Sequence, residues 1–157
     1  MVRIGTGYDI HRLVPGRKLV IGGVEIPFFR GLWGHSDADV LIHAIIDAIL
    51  GACCLGDIGS HFPDSDPDLK GIASVELLSR VREKVAPLGR VQNIDSTVVA
   101  ERPKLAPHID AMRSRIAEAL GIPTESVSVK AKTAEGTGPV GEGLAMEAHA
   151  AVLVEVG

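Results

Sequence analysis

The stretch IGTGYDIHRL, Ile4 to Leu13, decides how the chain begins to fold. With the residues before it, VRIGTGYDI reads as a short strand and turn. Two residues in it carry chemistry. Asp9 and His11 stand two positions apart, and side chains in extended backbone alternate, so both lie on one side, about 6.6 Å apart along the strand. An oxygen and a nitrogen placed so can converge on one ion at about 2.0–2.2 Å. A third ligand has to come from another element.

The next informative stretch is DADVLIHAIIDAILGACC, Asp37 to Cys54, which reads as a helix. Ser36, with Asp39 three residues on, marks its start in a capping-box pattern. Asp39, His43 and Asp47 follow at i, i+4 and make a polar stripe on an apolar helix. His43, held mid-helix, is the best third ligand. Two imidazoles and one carboxylate leave a fourth tetrahedral corner open, as a catalytic zinc requires. Taken singly, each residue has a plainer reading: an Asp-x-His pair arises by chance, and a His between two Asp can be a solvated face with weak ion pairs.

Around these stretches, KLVIGGVEIPF reads as a hairpin about Gly22-Gly23, and LGDIGSHFPDSDPDLKG as a long loop. IASVELLSRVREKVAPLG is an amphipathic helix with Ile72, Val75, Leu78, Val81 and Val85 inward. RVQNIDSTVVAE is a strand. APHIDAMRSRIAEALG is a helix with Ile109, Met112, Ile116 and Leu120 on one face and Gly121 as its stop. SVSVKAKT and LAMEAHAAVLVEV are strands, separated by the glycine-rich loop AEGTGPVGEG. The expected fold is α/β of the α+β type: a mixed sheet covered by helices on one side, in a single domain over residues 1–157.

Composition narrows the function. Hydrophobic residues make up 46% and charged residues 23% of 157, which is globular. Aromatics are 3%, so the core is aliphatic and a bound base has few rings to stack on. A net charge of −4 argues against nucleic acid as a partner but leaves room for a phosphorylated small molecule. Cys53 and Cys54 are adjacent and follow an apolar helix, so they read as buried free thiols. No leader pattern is seen, and the longest apolar run is broken by His43 and Asp47, so no membrane span is expected. The cytoplasm is the expected compartment.

Two loops could hold phosphate. GHSD puts His35 and Ser36 at a helix N-terminus, where free N–H groups favour anions; a plain cap explains Ser36 as well. TAEGTGPVGEG offers the Thr133 hydroxyl, the Glu135 carboxylate for a hard metal, and glycines that let backbone approach a ligand; a plain turn explains those glycines as well.

Taken together, IGTGYDIH, GLWGHSDADVLIHAIIDAILGA, LGDIGSHFPDSDP, AERPKLAPHIDAMR and VKAKTAEG resemble, in order and over essentially the whole chain, the 2-C-methyl-D-erythritol 2,4-cyclodiphosphate synthase family. The resemblance implies conversion of 4-diphosphocytidyl-2-C-methyl-D-erythritol 2-phosphate to the cyclic diphosphate and CMP, a step of non-mevalonate isoprenoid synthesis. It implies homotrimers with active sites between subunits, and zinc together with magnesium or manganese as cofactors. By the same resemblance Asp9, His11 and His43 bind zinc and Glu135 the second metal. His35 and Thr133 steady the transition state. Asp9, His11, His35 and Ser36 face substrate, and Asp57, Ile58 and Gly59 with Phe62, Pro63, Asp64, Ser65 and Asp66 surround the methylerythritol phosphate. Ala100, Pro103, Lys104, Leu105 and Ala106 receive the cytidine, with Lys132, Thr133, Ala134 and Glu135 beside the nucleotide. One departure stands out. Members often carry a Phe and an Arg after Glu135; here the loop is shorter, and ungapped from Glu135 those positions fall on Pro139 and Glu142. Lys132 is the candidate replacement cation. Two other readings compete at this point: a metal-dependent phosphohydrolase, and a noncatalytic trimer that binds a metal or an isoprenoid phosphate.

Overall fold

The computed structural model describes all 157 residues. The first strand, β1, runs unbroken from Val2 to Pro15 and is much longer than the expected short strand and turn. Gly5 and Gly7 sit inside it. They make no turn; they admit the first helix. A Cβ on Gly5 would lie 1.8 Å from the Ala48 carbonyl oxygen, and one on Gly7 1.9 Å from that of Ala44. The glycines are there so that a helix backbone can rest directly on the strand.

That helix, α1, spans Val40–Ala52. It starts later than the Ser36 pattern predicts, and its cap is Asp39, whose carboxylate accepts from Ile42 N–H. Ser36 instead accepts from Ala38 N–H at 3.1 Å, and Ala38 takes φ 57°, so a turn intervenes before the helix can begin. Ten of the thirteen α1 residues are buried, which fits a helix apolar on nearly every side and enclosed by its neighbours.

The hairpin forms as expected, β2 (Leu19–Ile21) against β3 (Val24–Ile26). β4 (Arg30–Leu32) follows. The long loop contains a short helix, α2 (Ile58–His61), and a 3-10 turn at Pro67–Leu69, each capped by an aspartate, Asp57 and Asp66. The second long helix, α3 (Ser74–Val85), begins two residues after Ile72; Leu77, Leu78, Val81 and Val85 are buried, and Ile72 and Val75 pack half-buried against the same core. β5 (Gly89–Val99) carries a bulge near Gln92. α4 (Ile109–Leu120) buries Met112, Ile116 and Leu120, and Gly121 ends it in the left-handed conformation at φ 65°. β6 (Val127–Lys132) follows. The glycine-rich loop holds one helical turn, α5 (Gly138–Gly141), before the last strand, β7 (Ala145–Val156).

The main sheet has the order β4-β1-β7-β5-β6, with β5 and β6 parallel and the other pairs antiparallel. It is therefore mixed, as expected. The buried apolar residues, Val140 and Ala145 apart, form one continuous cluster of 40, rich in Ile, Leu, Val and Ala. Cys53 belongs to it; Cys54 does not and is exposed, because φ 57° at Cys54 turns the chain out of α1. On the face of β1 away from α1, Ile4, Tyr8 and Ile10 are exposed by 72%, 48% and 43%.

Candidate metal centre

Along β1, the residues on the helix side are Gly5 under Ala48, Gly7 under Ala44, then Asp9 and His11. The same alternation that seats α1 on the glycines therefore delivers the acid and the imidazole beside His43, the neighbour of Ala44. Asp9 Oδ2 lies 2.8 Å from His11 Nε2 and 3.2 Å from His43 Nδ1. His11 Nε2 and His43 Nδ1 are 3.2 Å apart. Tetrahedral zinc with bonds near 2.0–2.1 Å holds its ligands about 3.3 Å from one another, so this triangle of one oxygen and two nitrogens has the size and the donor chemistry for such an ion. The three are half-buried.

Electrostatics reinforce the grouping. Burial works against charge on Asp9, but hydrogen bonds and attraction from His11 and His43 outweigh it and hold the carboxyl below its usual value. Burial would lower His11; its hydrogen bond to Asp9 and the attraction of that carboxylate prevail and raise it. The site favours positive charge beside Asp9 whether a proton or a metal ion supplies it. The other ring nitrogen of His11, Nδ1, donates to the Trp33 carbonyl at 2.9 Å.

The rest of the anticipated stripe on α1 has other roles. Asp39 is wholly buried and accepts from the N–H groups of Gly22 at 2.9 Å and Gly23 at 2.7 Å. It ties the hairpin to the helix start. Asp47 accepts from Ile58 N–H at 2.7 Å, so it anchors α2, and burial raises its carboxyl. Only His43 of the three enters the metal triangle.

The triangle opens into a cavity of about 720 Å³. Asp9, His11, His35, Ser36, His43, Ile58, Gly59, Phe62, Pro63 and Asp64 all line it. His35 Nε2 donates to the Asp66 carbonyl at 2.8 Å, so Asp66 borders the site through its backbone. Asp57 caps α2 through Ser60, and neither it nor Ser65 is among the lining residues. Arg17 carries no signal in the sequence. Its guanidinium donates to the carbonyls of Gly34 at 3.2 Å and Ser36 at 2.8 Å and so braces the His35–Ser36 loop. Ser74 carries none either, although its hydroxyl lies 2.8 Å from His43 Nε2. Both contacts join distant parts of the chain, beyond the reach of periodicity.

The remaining candidates form a second patch. Ala100 N–H donates to the Lys132 carbonyl at 2.9 Å, and Ala134 N–H donates to the Glu101 carboxylate. These bonds bring the segment Ala100–Ala106 against Lys132–Glu135, where Thr133 Oγ1 accepts from Glu135 N–H at 3.3 Å. Lys104, Lys132, Thr133 and Glu135 are exposed, Pro103 and Ala134 half-buried, and Leu105 buried. None of this patch lines the cavity at the metal triangle. Within one chain the two groups stay apart.

The sequence pattern of the YgbB family matches residues 2–155. The 2-C-methyl-D-erythritol 2,4-cyclodiphosphate synthase of Gloeobacter violaceus is 63% identical over 155 residues, covering 98% of this chain and 95% of its own. Among solved structures, the bifunctional IspDF of Campylobacter jejuni superposes with a TM-score of 0.95 at 39% identity, over all of this chain and 43% of that one. A CDP complex of IspF from Plasmodium falciparum superposes at 0.86 with 34% identity, over 99% of this chain and 96% of that one.

Proposed function

The chain belongs to the YgbB family, and from that premise we propose which of its residues do the family's chemistry. It converts 4-diphosphocytidyl-2-C-methyl-D-erythritol 2-phosphate to 2-C-methyl-D-erythritol 2,4-cyclodiphosphate with release of CMP, in isoprenoid biosynthesis. The observation that carries the site assignment is the triangle of Asp9 Oδ2, His11 Nε2 and His43 Nδ1.

We assign those three atoms to zinc, and the Glu135 carboxylate, a hard oxygen donor, to magnesium or manganese. Held there, the ions would supply Lewis acidity and would offset the repulsion between the two phosphate groups. The reaction is an intramolecular displacement. An oxygen of the 2-phosphate forms a bond to the β-phosphorus, the bond from that phosphorus to the bridging oxygen breaks, and CMP departs with that oxygen. Positioning and charge therefore dominate. His35, its Nε2–H committed to the Asp66 carbonyl, is held at the cavity wall, where we assign it to orienting the attacking phosphate. Ser36 completes the phosphate cradle. Ile58, Gly59 and Phe62 to Asp64 enclose the methylerythritol. Thr133 donates its hydroxyl to the diphosphate, and the Ala100–Ala106 segment reads the base with backbone groups. The CDP complex of the Plasmodium falciparum relative supports a cytidine ligand. Lys132 supplies the cation that the shortened loop lacks.

The separation of the two patches, and the exposed apolar residues on one face of β1, support a homotrimer in which each site forms between neighbouring subunits. The single continuous core supports one catalytic domain over residues 1–157. No helix is long and apolar enough to cross a membrane, and the free thiols fit the cytoplasm.

His43→Ala tests the assignment. Zinc content and CMP release should fall together; a zinc-free variant with full turnover would overturn it. Lys132→Ala should raise KM for the substrate with little change in kcat. Unchanged KM removes Lys132 from the phosphate site.

A further inference from the structure

We propose that Ser74, backed by Asp37, is a positioning residue for the metal centre: it fixes the proton of His43 on Nε2 and keeps Nδ1 open to the ion. The inference rests on the reading of Asp9, His11 and His43 as ligands.

Ser74 is the first residue of α3 and is wholly buried. Its hydroxyl lies 2.8 Å from His43 Nε2 and donates in a short bond to Asp37 Oδ1. Its backbone N–H donates to Asp37 Oδ2 at 3.0 Å. A carboxylate only accepts, so the single hydroxyl proton is committed to Asp37, and Ser74 Oγ meets the imidazole as an acceptor. The proton between them therefore belongs to His43 Nε2. In the neutral imidazole that a metal requires, the lone pair is left on Nδ1, the atom that stands 3.2 Å from both Asp9 Oδ2 and His11 Nε2; the hydrogen bond from Nδ1 to Asp9 belongs to the doubly protonated ring. Ser36 Oγ, at 3.2 Å from Nε2, makes a longer contact and already accepts from Ala38 N–H.

Asp37 is itself held. Ala73, which precedes α3, provides no side-chain cap. Asp37 takes that place from across the loop, where the helix dipole favours its charge, and its own N–H donates to the Ile72 carbonyl at 3.0 Å. The chain Asp37–Ser74–His43 thus runs from the start of one helix to a ligand on another. His11 has an independent lock in the Trp33 carbonyl, so each imidazole is fixed by its own partner.

The test pairs two measurements on Ser74→Ala. Long-range proton–nitrogen NMR of the zinc-free protein, at mildly alkaline pH, reads the histidine tautomers. Competition with a fluorescent chelator reads zinc affinity. The variant should lose the pure Nε2–H signature of His43 and bind zinc about 10–100-fold more weakly, while the His11 signature stays. An unchanged His43 signal with affinity within about twofold of wild type overturns the proposal. If Ser74→Ala does not fold, Asp37→Asn is read the same way: affinity lower by about threefold or more supports the proposal, and a smaller change defeats it. Should the wild-type protein fail to bind zinc, the ligand assignment itself fails. Should wild type bind and Ser74→Ala bind equally, only this inference does.

Discussion

Asp39 is a carboxylate with no access to solvent, set among backbone N–H groups of Gly22, Gly23 and Ile42. Burial, with the charge of Asp37 added, pushes its pKa from 3.8 up to about 6, against the pull of those donors. The sign of the consequence follows from linkage. Folding raises this pKa, so the unfolded chain gives up the proton first as pH rises. The stability it contributes is full below 3.8 and is lost as pH climbs through about 6. The slope between those values is about 1.4 kcal/mol per pH unit. Urea unfolding of the zinc-free protein should therefore show wild type losing roughly 1–2 kcal/mol more than Asp39→Asn between about pH 5 and about pH 7. His11, also raised, acts in the same direction in both proteins, and because the Asp39 charge is the smallest of the causes that raise it, most of its contribution cancels in the comparison. Parallel pH profiles for the two proteins would mean that Asp39 stays ionised in the fold. Asn at this position should also cost some stability at every pH, because its amide group faces an N–H donor that Asp39 accepts from.

Among elements, the decisive contact is between β1 and α1. Ala44 and Ala48 are one turn apart on the helix and rest on Gly7 and Gly5 of the strand. Nothing but glycine fits at those two strand positions, since the obstruction is helix backbone and cannot turn aside. This contact sets the height of α1 above the sheet, and so the distance from His43 to Asp9. Gly7→Ala should lift the helix. The expected cost is about 1–3 kcal/mol or more, seen as a lower Tm, together with weaker zinc binding because the triangle opens. An alanine variant with wild-type Tm and zinc affinity would show that the two elements separate freely.

For the whole molecule, the metal triangle and the Thr133–Glu135 patch, which we assign to one reaction, do not meet within a chain. The proposed trimer, assembled through the open face of β1, where Ile4 is 72% exposed, would give each site a contribution from a neighbour. Mixing subunits tests this. His43→Ala and Thr133→Ala proteins should each be inactive. Unfolded together and refolded at equal amounts, they should regain about a quarter of wild-type activity, because a random closed ring pairs an intact His43 with an intact Thr133 at about one interface in four. No recovery from a mixture that does form trimers would place both halves of the site in one subunit.

The sequence alone determined the elements that follow a local period. The hairpin about Gly22-Gly23, the Met112, Ile116 and Leu120 face of α4 with its stop at Gly121, and the shared side of Asp9 and His11 are all consequences of spacing along the chain. The polar stripe on α1 offered His43 as the partner of that pair, and the resemblance of the motifs selected it. Tertiary structure alone decided that Gly5 and Gly7 are a seat for a helix and not a turn, that Asp39 caps where Ser36 was expected to, and that Ser74 and Arg17 brace the site from afar. The reason is physical: periodicity reports which way a side chain points, whereas close approach and hydrogen-bond partnership depend on what another part of the chain brings to that point.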